Sequence, residues 1–330
     1  MIKNIIITGG FGFIGLNLIK TILSNPVYKI LVIDNLSVGS IDDFNKVLPN
    51  QKINRISGRS DWKNQISYVV GDITNKKMLF DFFKEADCVI HLAANTGVGP
   101  SVDNPHEDFM ANAYGTFVCL ELARIHGIKR FVYASSGAPL GEQTPPLNEQ
   151  MAPRPASPYG ASKLCGEGYC SAYSYSYDIE TVCLRFSNVY GPTSQKKNSL
   201  VAKLIKKMLK FEEINIYGNG EQTRDFIFIQ DLVDAIQAAM ISKLPKTHEL
   251  LQIATGHETS VNTIIFHLTR IAIKNQINMP KVNYVDRRVG DVMRNYSDIR
   301  HAKYILNWEP RMNLESGLAN TMDYFLTGEI

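Results

Sequence analysis

The sequence lacks an apolar run long enough to cross a bilayer. Its first such stretch, Ile5-Ile6-Ile7, is cut off by Gly9, far short of the ~20 residues that a spanning helix needs and too short for a secretory leader. Cysteine is scarce: Cys88, Cys119, Cys165, Cys170 and Cys183 are odd in number and form no close-spaced pair. That argues against both a disulfide framework and a metal site, and fits reduced thiols in the cytoplasm. Net charge is small, +3, with Lys and Arg scattered, so neither a nucleic-acid footprint nor a membrane-binding patch is expected. The one locally basic stretch, 196–210, reads as an amphipathic helix, with Lys203, Lys206, Lys207 and Lys210 wet and Leu200, Leu204 and Met208 inward. Internal repeats and low-complexity tracts are missing too.

What is present is core material, with 45% hydrophobic residues in a chain of 330, enough for roughly two lobes of ~100–200 residues. Ile5–Ile7, Ile30–Ile33, Tyr68–Val70, Cys88–Ile90, Phe131–Tyr133 and Val182–Leu184 are continuously apolar, as buried strands are. Helical patterns at 13–24, 76–85, 106–126 and 158–176 lie between them, and this alternation predicts an α/β fold with a doubly wound parallel sheet. The polar segment 37–65 reads as an irregular insertion, and the proline-rich 144–158 as a loop. Beyond residue 190 helices at 199–210, 231–243, 261–274 and 314–326, with short strands at 214–217 and 250–253, predict a smaller mixed α/β lobe. The expected division is 1–190 and 191–330, with about 225–255 returning to the first lobe.

Three features carry chemistry. Tyr159-Gly160-Ala161-Ser162-Lys163 places a phenol and an ammonium four residues apart, about 5–6 Å at Cβ on one helix face. A lysine charge held there favours tyrosinate and makes Tyr159 a usable base; a solvated helix face gives the same spacing. Thr8-Gly9-Gly10-Phe11-Gly12-Phe13-Ile14-Gly15 follows the first strand and opens a helix, suiting close approach of a pyrophosphate to backbone N–H groups. Asp34 ends the second strand about 20 residues later, where a carboxylate accepts from adenosine ribose hydroxyls and repels a 2′-phosphate. A helix N-cap is the competing reading for Asp34, although no helix clearly begins there.

Together with Gly71-Asp72-Ile73, His91-Leu92-Ala93-Ala94, Ser135-Ser136, Arg185–Pro192 and Tyr217–Asp234, these motifs resemble the extended short-chain dehydrogenase/reductase family, in particular its NAD-dependent sugar-nucleotide epimerases and dehydratases. The resemblance covers nearly the whole chain. It implies a Rossmann-type sheet, bound NAD, and a cofactor site of Gly9, Gly12, Phe13, Ile14, Gly15, Asp34, Asn35, Asp72, Ile73, Leu92, Ala93, Ala94, Asn112, Tyr159, Lys163 and Ser187. Asp72 could instead cap a turn, and Ala93-Ala94 could be small for packing. Ser136, Tyr159 and Lys163 match the catalytic set, with Ser135 the competitor for the serine. Substrate positions carried over are Ser136, Asn188, Asn198, Arg224, Arg288, Asp291 and Asn295, with Arg287 the rival of Arg288.

The resemblance also separates reactions. Dehydratases of the family have an Asp-Glu pair after the catalytic hydroxyl residue, where this chain has Gly137-Ala138; the Glu of decarboxylases and the Cys of keto-sugar epimerase/reductases are missing as well. What remains implies redox-neutral 4-epimerisation of a UDP-hexose through a 4-keto sugar with NAD retained. Pro139-Leu140-Gly141 departs from the usual Val-Tyr-Gly. Asn295, small where some members are bulky, implies room for a 2-acetamido group, hence UDP-N-acetylglucosamine beside UDP-glucose. A UDP-uronic acid epimerase and a non-catalytic NAD-binding sensor are the alternatives. Helices 106–126 and 158–176, with Phe117, Leu120, Leu164 and Tyr173, resemble the family's dimer-forming pair, which implies a homodimer.

Overall fold

In the first strand, Asn4–Thr8 (β1), Ile5 and Ile7 enter one hydrophobic cluster and Ile6 the other. Side chains of a strand alternate between faces, so an unbroken apolar run means that both faces are covered. Lys29–Asp34 (β2) repeats the division, with Ile30 and Val32 opposite Leu31 and Ile33. Asn54–Arg55 (β3) is a two-residue exposed strand. Ile66–Val70 (β4), Cys88–His91 (β5), Arg130–Ser136 (β6) and Glu180–Phe186 (β7) are apolar on both faces again. The computed structural model describes residues 2–60, 62–287 and 292–328.

Helices cover both faces of this sheet. Phe13–Ile22 (α1) starts from Gly12, which offers no side-chain cap. Ile41–Val47 (α2) begins with a capping box between Ser40 and Asp43. Lys76–Leu79 (α3) continues into a 3₁₀ turn, Phe80–Phe83. Val98–Asp103 (α4) and Pro105–Asp108 (α5) lead through a π-helical turn, Phe109–Tyr114, into Gly115–Ile125 (α6). Pro158–Tyr177 (α7) is capped by Ser157, whose Oγ accepts from Gly160 N at 3.1 Å, and it stops at Asp178 in the left-handed region. Leu200–Leu209 (α8), Ile229–Ile241 (α9), Val261–Lys274 (α10), Arg300–Leu306 (α11) and Leu314–Thr327 (α12) follow. Residues of α1 and α9 join the Ile5 cluster, and those of α6 and α7 the Ile6 cluster.

In the second half Asn188–Tyr190 (β8) runs parallel to Phe226–Phe228 (β11), Ile214–Tyr217 (β9) parallel to Val282–Val285 (β14), and Thr223–Arg224 (β10) antiparallel to Thr259–Ser260 (β13). His248–Ile253 (β12) rejoins the main sheet beside β7. The sheet is eight-stranded in the order β12-β7-β6-β5-β1-β2-β4-β3, and every pairing is parallel. This is the expected doubly wound α/β sheet. Because the chain winds outward from β1 through β2 and β4, then returns to β5 on the other side, the strand order reverses between β1 and β5. A ligand crevice opens at such a point, beyond the carboxyl ends of the strands. Leu204, Leu268, Leu318, Met322 and Phe325 share the Ile5 cluster, so one apolar core runs from the sheet into the C-terminal helices.

Three expectations about elements need correction. Segment 37–65 is irregular except for two short elements: Ser40 and Asp43 nucleate α2, and β3 pairs with β4. The 76–85 pattern yields one α turn before 3₁₀ geometry takes over, and 106–126 is broken by the π turn. Leu120 is fully buried in the core and Tyr173 is 7% exposed, so packing within the chain accounts for both. Among the described residues no helix is long and apolar enough to cross a membrane.

Candidate active site

Helix α7 packs unusually close to β6. A Cβ on Gly166 would stand 2.3 Å from Tyr133 Oη, so no larger residue fits this contact. The approach brings Tyr159 to the carboxyl end of β6 and separates the two serines there. Ser135 Oγ donates to Glu167 Oε1 at 2.6 Å, and Glu167 accepts from Arg185 at 2.8 and 2.7 Å, all buried. Ser136 is the serine whose hydroxyl pulls the Tyr159 phenol down, and its Oγ accepts from Ala138 N at 3.2 Å. The hydroxyl beside the phenol is therefore that of Ser136, and Ser135 belongs to the core network.

Electrostatics here differ from the sequence expectation. Burial pushes the Tyr159 phenol above its ordinary value; the Ser136 hydrogen bond pulls it down, and the Asp108 charge adds to the rise. Lys163 Nζ donates to Ala134 O at 2.9 Å and stands 6.0 Å from the centre of the Tyr159 ring. One ammonium proton is used on a backbone carbonyl, which leaves two for a ligand, and burial prevails in setting the direction for the tyrosine. Burial also pulls Lys163 from 10.5 down to about 8, against the opposing pull of Asp108 and Glu167. Between about pH 8 and 10.5 the unfolded chain binds more protons at this lysine than the folded one does, so stability rises with pH across that window. Wild type should gain on Lys163→Met by up to about 1.4 kcal/mol per pH unit there. Denaturant unfolding of both proteins at pH 7.5 to 9.5, below the range where Tyr159 opposes the trend, measures the difference; parallel curves would refute it.

Around the β1 turn, Gly9 adopts φ +68°, and a Cβ on it would meet Ala93 N at 2.7 Å, so the glycine loop sits directly on the loop after β5. Gly12, Phe13, Ile14 and Gly15 form the first turn of α1, whose N–H groups have no side-chain cap. Asp34 accepts from Phe11 N at 3.0 Å and Leu36 N at 2.8 Å; burial raises its pKa, against these bonds. It caps no helix, since α2 starts six residues later from Ser40. Asn35 Nδ2 donates to Asp72, which also accepts from Thr74 N and Oγ1 at 2.8 and 2.6 Å, so Asp72 does cap a turn. Ile73 is buried against Gly115, which leaves only its backbone for a ligand. Leu92, Ala93 and Ala94 line the loop after β5, with Ala93 N donating to Thr8 Oγ1 at 3.2 Å. Ser187 Oγ is buried and has no hydrogen-bond partner among the described residues. The uncapped helix start, the carboxylate at the end of β2 and this orphaned hydroxyl fit an adenine dinucleotide.

Asn112 does not face the crevice. Fully buried in the π turn, its Nδ2 donates to Asn95 O at 2.9 Å, Asp108 Oδ1 at 2.8 Å and Ser162 Oγ at 3.2 Å, while its Oδ1 accepts from Asn95 N at 2.8 Å. Both amide protons are used within the protein, so Asn112 holds the Asn95 loop to α7 instead of a cofactor. A polar residue in a π turn, where helices often serve a site, was the available clue.

Substrate positions are more dispersed. Asn188 is exposed, with Nδ2 on Asp225 O at 3.2 Å. Arg224 NH1 donates to Thr223 O and Val292 O, each at 2.7 Å. Asn198 is exposed and accepts from Lys206 Nζ at 3.4 Å; Asn295 is partly buried. Arg288 and Asp291 lie outside the described residues, and Arg287 is exposed. Sequence reasoning passed over Lys197, whose Nζ donates to Thr96 Oγ1 at 3.1 Å across the crevice, and Asp108, 3% exposed with Oδ2 unpartnered. Neither belongs to a motif, and only folding brings them to the site.

A doubly wound parallel sheet with a glycine-loop dinucleotide cradle and a Ser-Tyr-Lys set at the end of a central strand defines a short-chain dehydrogenase/reductase type of enzyme. Residues 5–253 match the family model described as the NAD dependent epimerase/dehydratase family, and the chain belongs to that family; NAD is its cofactor. The sequence is 35% identical to a putative UDP-glucose 4-epimerase of Methanocaldococcus jannaschii over 97% of both chains. It is 32% identical to a UDP-glucuronate 4-epimerase of Thermodesulfobacterium geofontis, covering 97% of this chain and 95% of the relative. The UDP-glucose 4-epimerase of Thermotoga maritima, solved with UDP-glucose, superimposes with a TM-score of 0.86 at 33% identity, covering 98% of this chain and 99% of that one.

Proposed function

We propose that the protein is a UDP-hexose 4-epimerase acting on UDP-glucose/UDP-galactose and on UDP-N-acetylglucosamine/UDP-N-acetylgalactosamine. The observation that carries the reading is the placing of Ser136 beside Tyr159 at the end of β6, where the serine hydroxyl lowers the phenol, followed by Gly137-Ala138 where a dehydratase needs a further acid and base. Bound NAD supplies a hydride acceptor and donor for C4 of the sugar. Tyr159 takes the C4 hydroxyl proton and later returns one, Ser136 hydrogen-bonds the same oxygen, and Lys163 holds α7 to β6 through Ala134 O. Gly9 through Gly15, Asp34, Asn35, the Asp72-Ile73 backbone, Leu92 to Ala94, Tyr159, Lys163 and Ser187 are assigned to the dinucleotide, with Asn112 a positioning residue. Asn188, Asn198, Arg224, Arg288, Asp291 and Asn295 are assigned to the nucleotide sugar; a guanidinium suits the diphosphate because its planar fork pairs with two oxygens. A homodimer through α6 and α7 belongs to the same reading, with Phe109, Tyr169 and Tyr177 exposed.

The identity to a UDP-glucuronate 4-epimerase supports a second reading, inversion of a UDP-uronic acid. Incubation with each of the three UDP-sugars, with C4 inversion followed by proton NMR, separates the two. Conversion of UDP-glucose and of its 2-acetamido analogue without net consumption of NAD is expected. Inactivity on both, or stoichiometric loss of NAD, would overturn the proposal.

A further inference from the structure

Residues 192–197 leave β8 and lie against three separate parts of the N-terminal half. Asn17 Nδ2, on α1, donates to Thr193 Oγ1 at 2.7 Å. Lys196 pairs with Asp43 at the start of α2. Lys197 Nζ donates to Thr96 Oγ1, on the loop after β5. The first contact is on the helix that follows β1 and the last on the loop that follows β5, so the segment spans the crevice where strand order reverses.

The two adjacent lysines differ in their partners. Lys196 has a carboxylate. Lys197 has none among the described residues: its ammonium donates to the neutral hydroxyl of Thr96, although the side chain is partly buried. Burial accordingly holds its ammonium below the ordinary lysine value. A desolvated cation with no counter-charge is unfavourable, and an incoming anion relieves the penalty. The position matters as much as the charge, because the uncapped N-terminus of α1 opens on the same crevice and also favours anions.

We propose that Lys197, oriented by Thr96, is a binding residue for a diphosphate in the β1/β5 crevice. Two diphosphates are candidates: the pyrophosphate of NAD and the diphosphate of a nucleotide sugar, the latter resting on the function proposed above. Thr96 presents an oxygen to the ammonium and leaves its remaining protons for phosphate oxygens. Neither residue is part of the motifs that define the cofactor and catalytic sites.

Calorimetric dissociation constants for NAD, on protein stripped of cofactor, and for UDP, on holoenzyme, test this with no dependence on turnover. Lys197→Met keeps the aliphatic stem and should weaken one of the two ligands by about tenfold. Lys197→Arg should restore it to within about threefold, and Lys203→Met, on the exposed side of α8, should change neither. Weakening of NAD assigns the cofactor pyrophosphate; weakening of UDP assigns the substrate diphosphate. If both constants stay within about twofold in Lys197→Met, the proposal is wrong. Should wild type bind NAD and not UDP, the nucleotide-sugar reading fails by itself, and the NAD constant still decides the role of Lys197.

Discussion

Tyr159→Phe should lower turnover by about 10² to 10⁴ while the protein keeps its NAD. The change removes one oxygen, the phenol that the Ser136 hydroxyl acts on, and leaves the ring at the end of β6. Burial holds the phenol above its ordinary value and the Ser136 hydroxyl pulls it back down, so Ser136 favours the tyrosinate that accepts the sugar proton. Ser136→Ala should therefore lower turnover too, by less, since Tyr159 can still reach the sugar. Steady-state rates on the active UDP-sugar, beside NAD content released by denaturation, give both quantities. Unchanged turnover in Tyr159→Phe would remove Tyr159 as the base; lost NAD together with lost turnover would mean that the hydroxyl is needed to hold the cofactor, so that the lost rate no longer identifies a base.

Glu167→Ala should destabilise the fold by roughly 3–5 kcal/mol. Glu167 accepts two bonds from Arg185 and one from Ser135, and the Arg185 side chain is 1% exposed. Removing the carboxylate strands a guanidinium that already has NH1 without a partner. The desolvation penalty of that charge, more than the lost attraction, sets the size of the effect. Glu167 also lies one turn beyond Lys163 and helps to keep that ammonium charged, so catalysis should fall along with stability. Denaturant midpoints for Glu167→Ala and for Glu167→Gln, which keeps acceptor and shape, separate charge from packing. A loss under about 1 kcal/mol in the alanine variant would show that the pair is far better hydrated than its burial indicates.

The sheet was legible because its strands are covered on both faces: Ile5-Ile6-Ile7 and Ile30–Ile33 cannot be read as amphipathic, and each meets the core on two sides. The glycine loop, Asp34 and the Tyr159–Lys163 spacing were legible for a different reason, since their chemistry depends on short-range geometry. Within segment 37–65, α2 was missed because a capping box one turn long weighs little against a polar composition. The choice between Ser135 and Ser136 depends on Glu167, thirty-odd residues away, and the downward pull expected of Lys163 on Tyr159 gave way to a carbonyl of β6. Lys197 and Thr96, about a hundred residues apart, illustrate the general limit. Periodicity and spacing report local order, whereas a contact across a crevice exists only once both of its walls are in place.

Asn112 makes part of the site's wall rigid. One buried amide fastens the loop after β5, through both the N–H and the carbonyl of Asn95, to Ser162, the residue beside Lys163. The cofactor-side loop and the helix that carries the base are thereby a single mechanical part. In the epimerisation proposed above, a 4-keto sugar that must show its opposite face cannot ask that part to swing round it. The turning would then fall to the ligand, as rotation about its bond to the diphosphate, and the space left for that swing would limit which sugars are inverted.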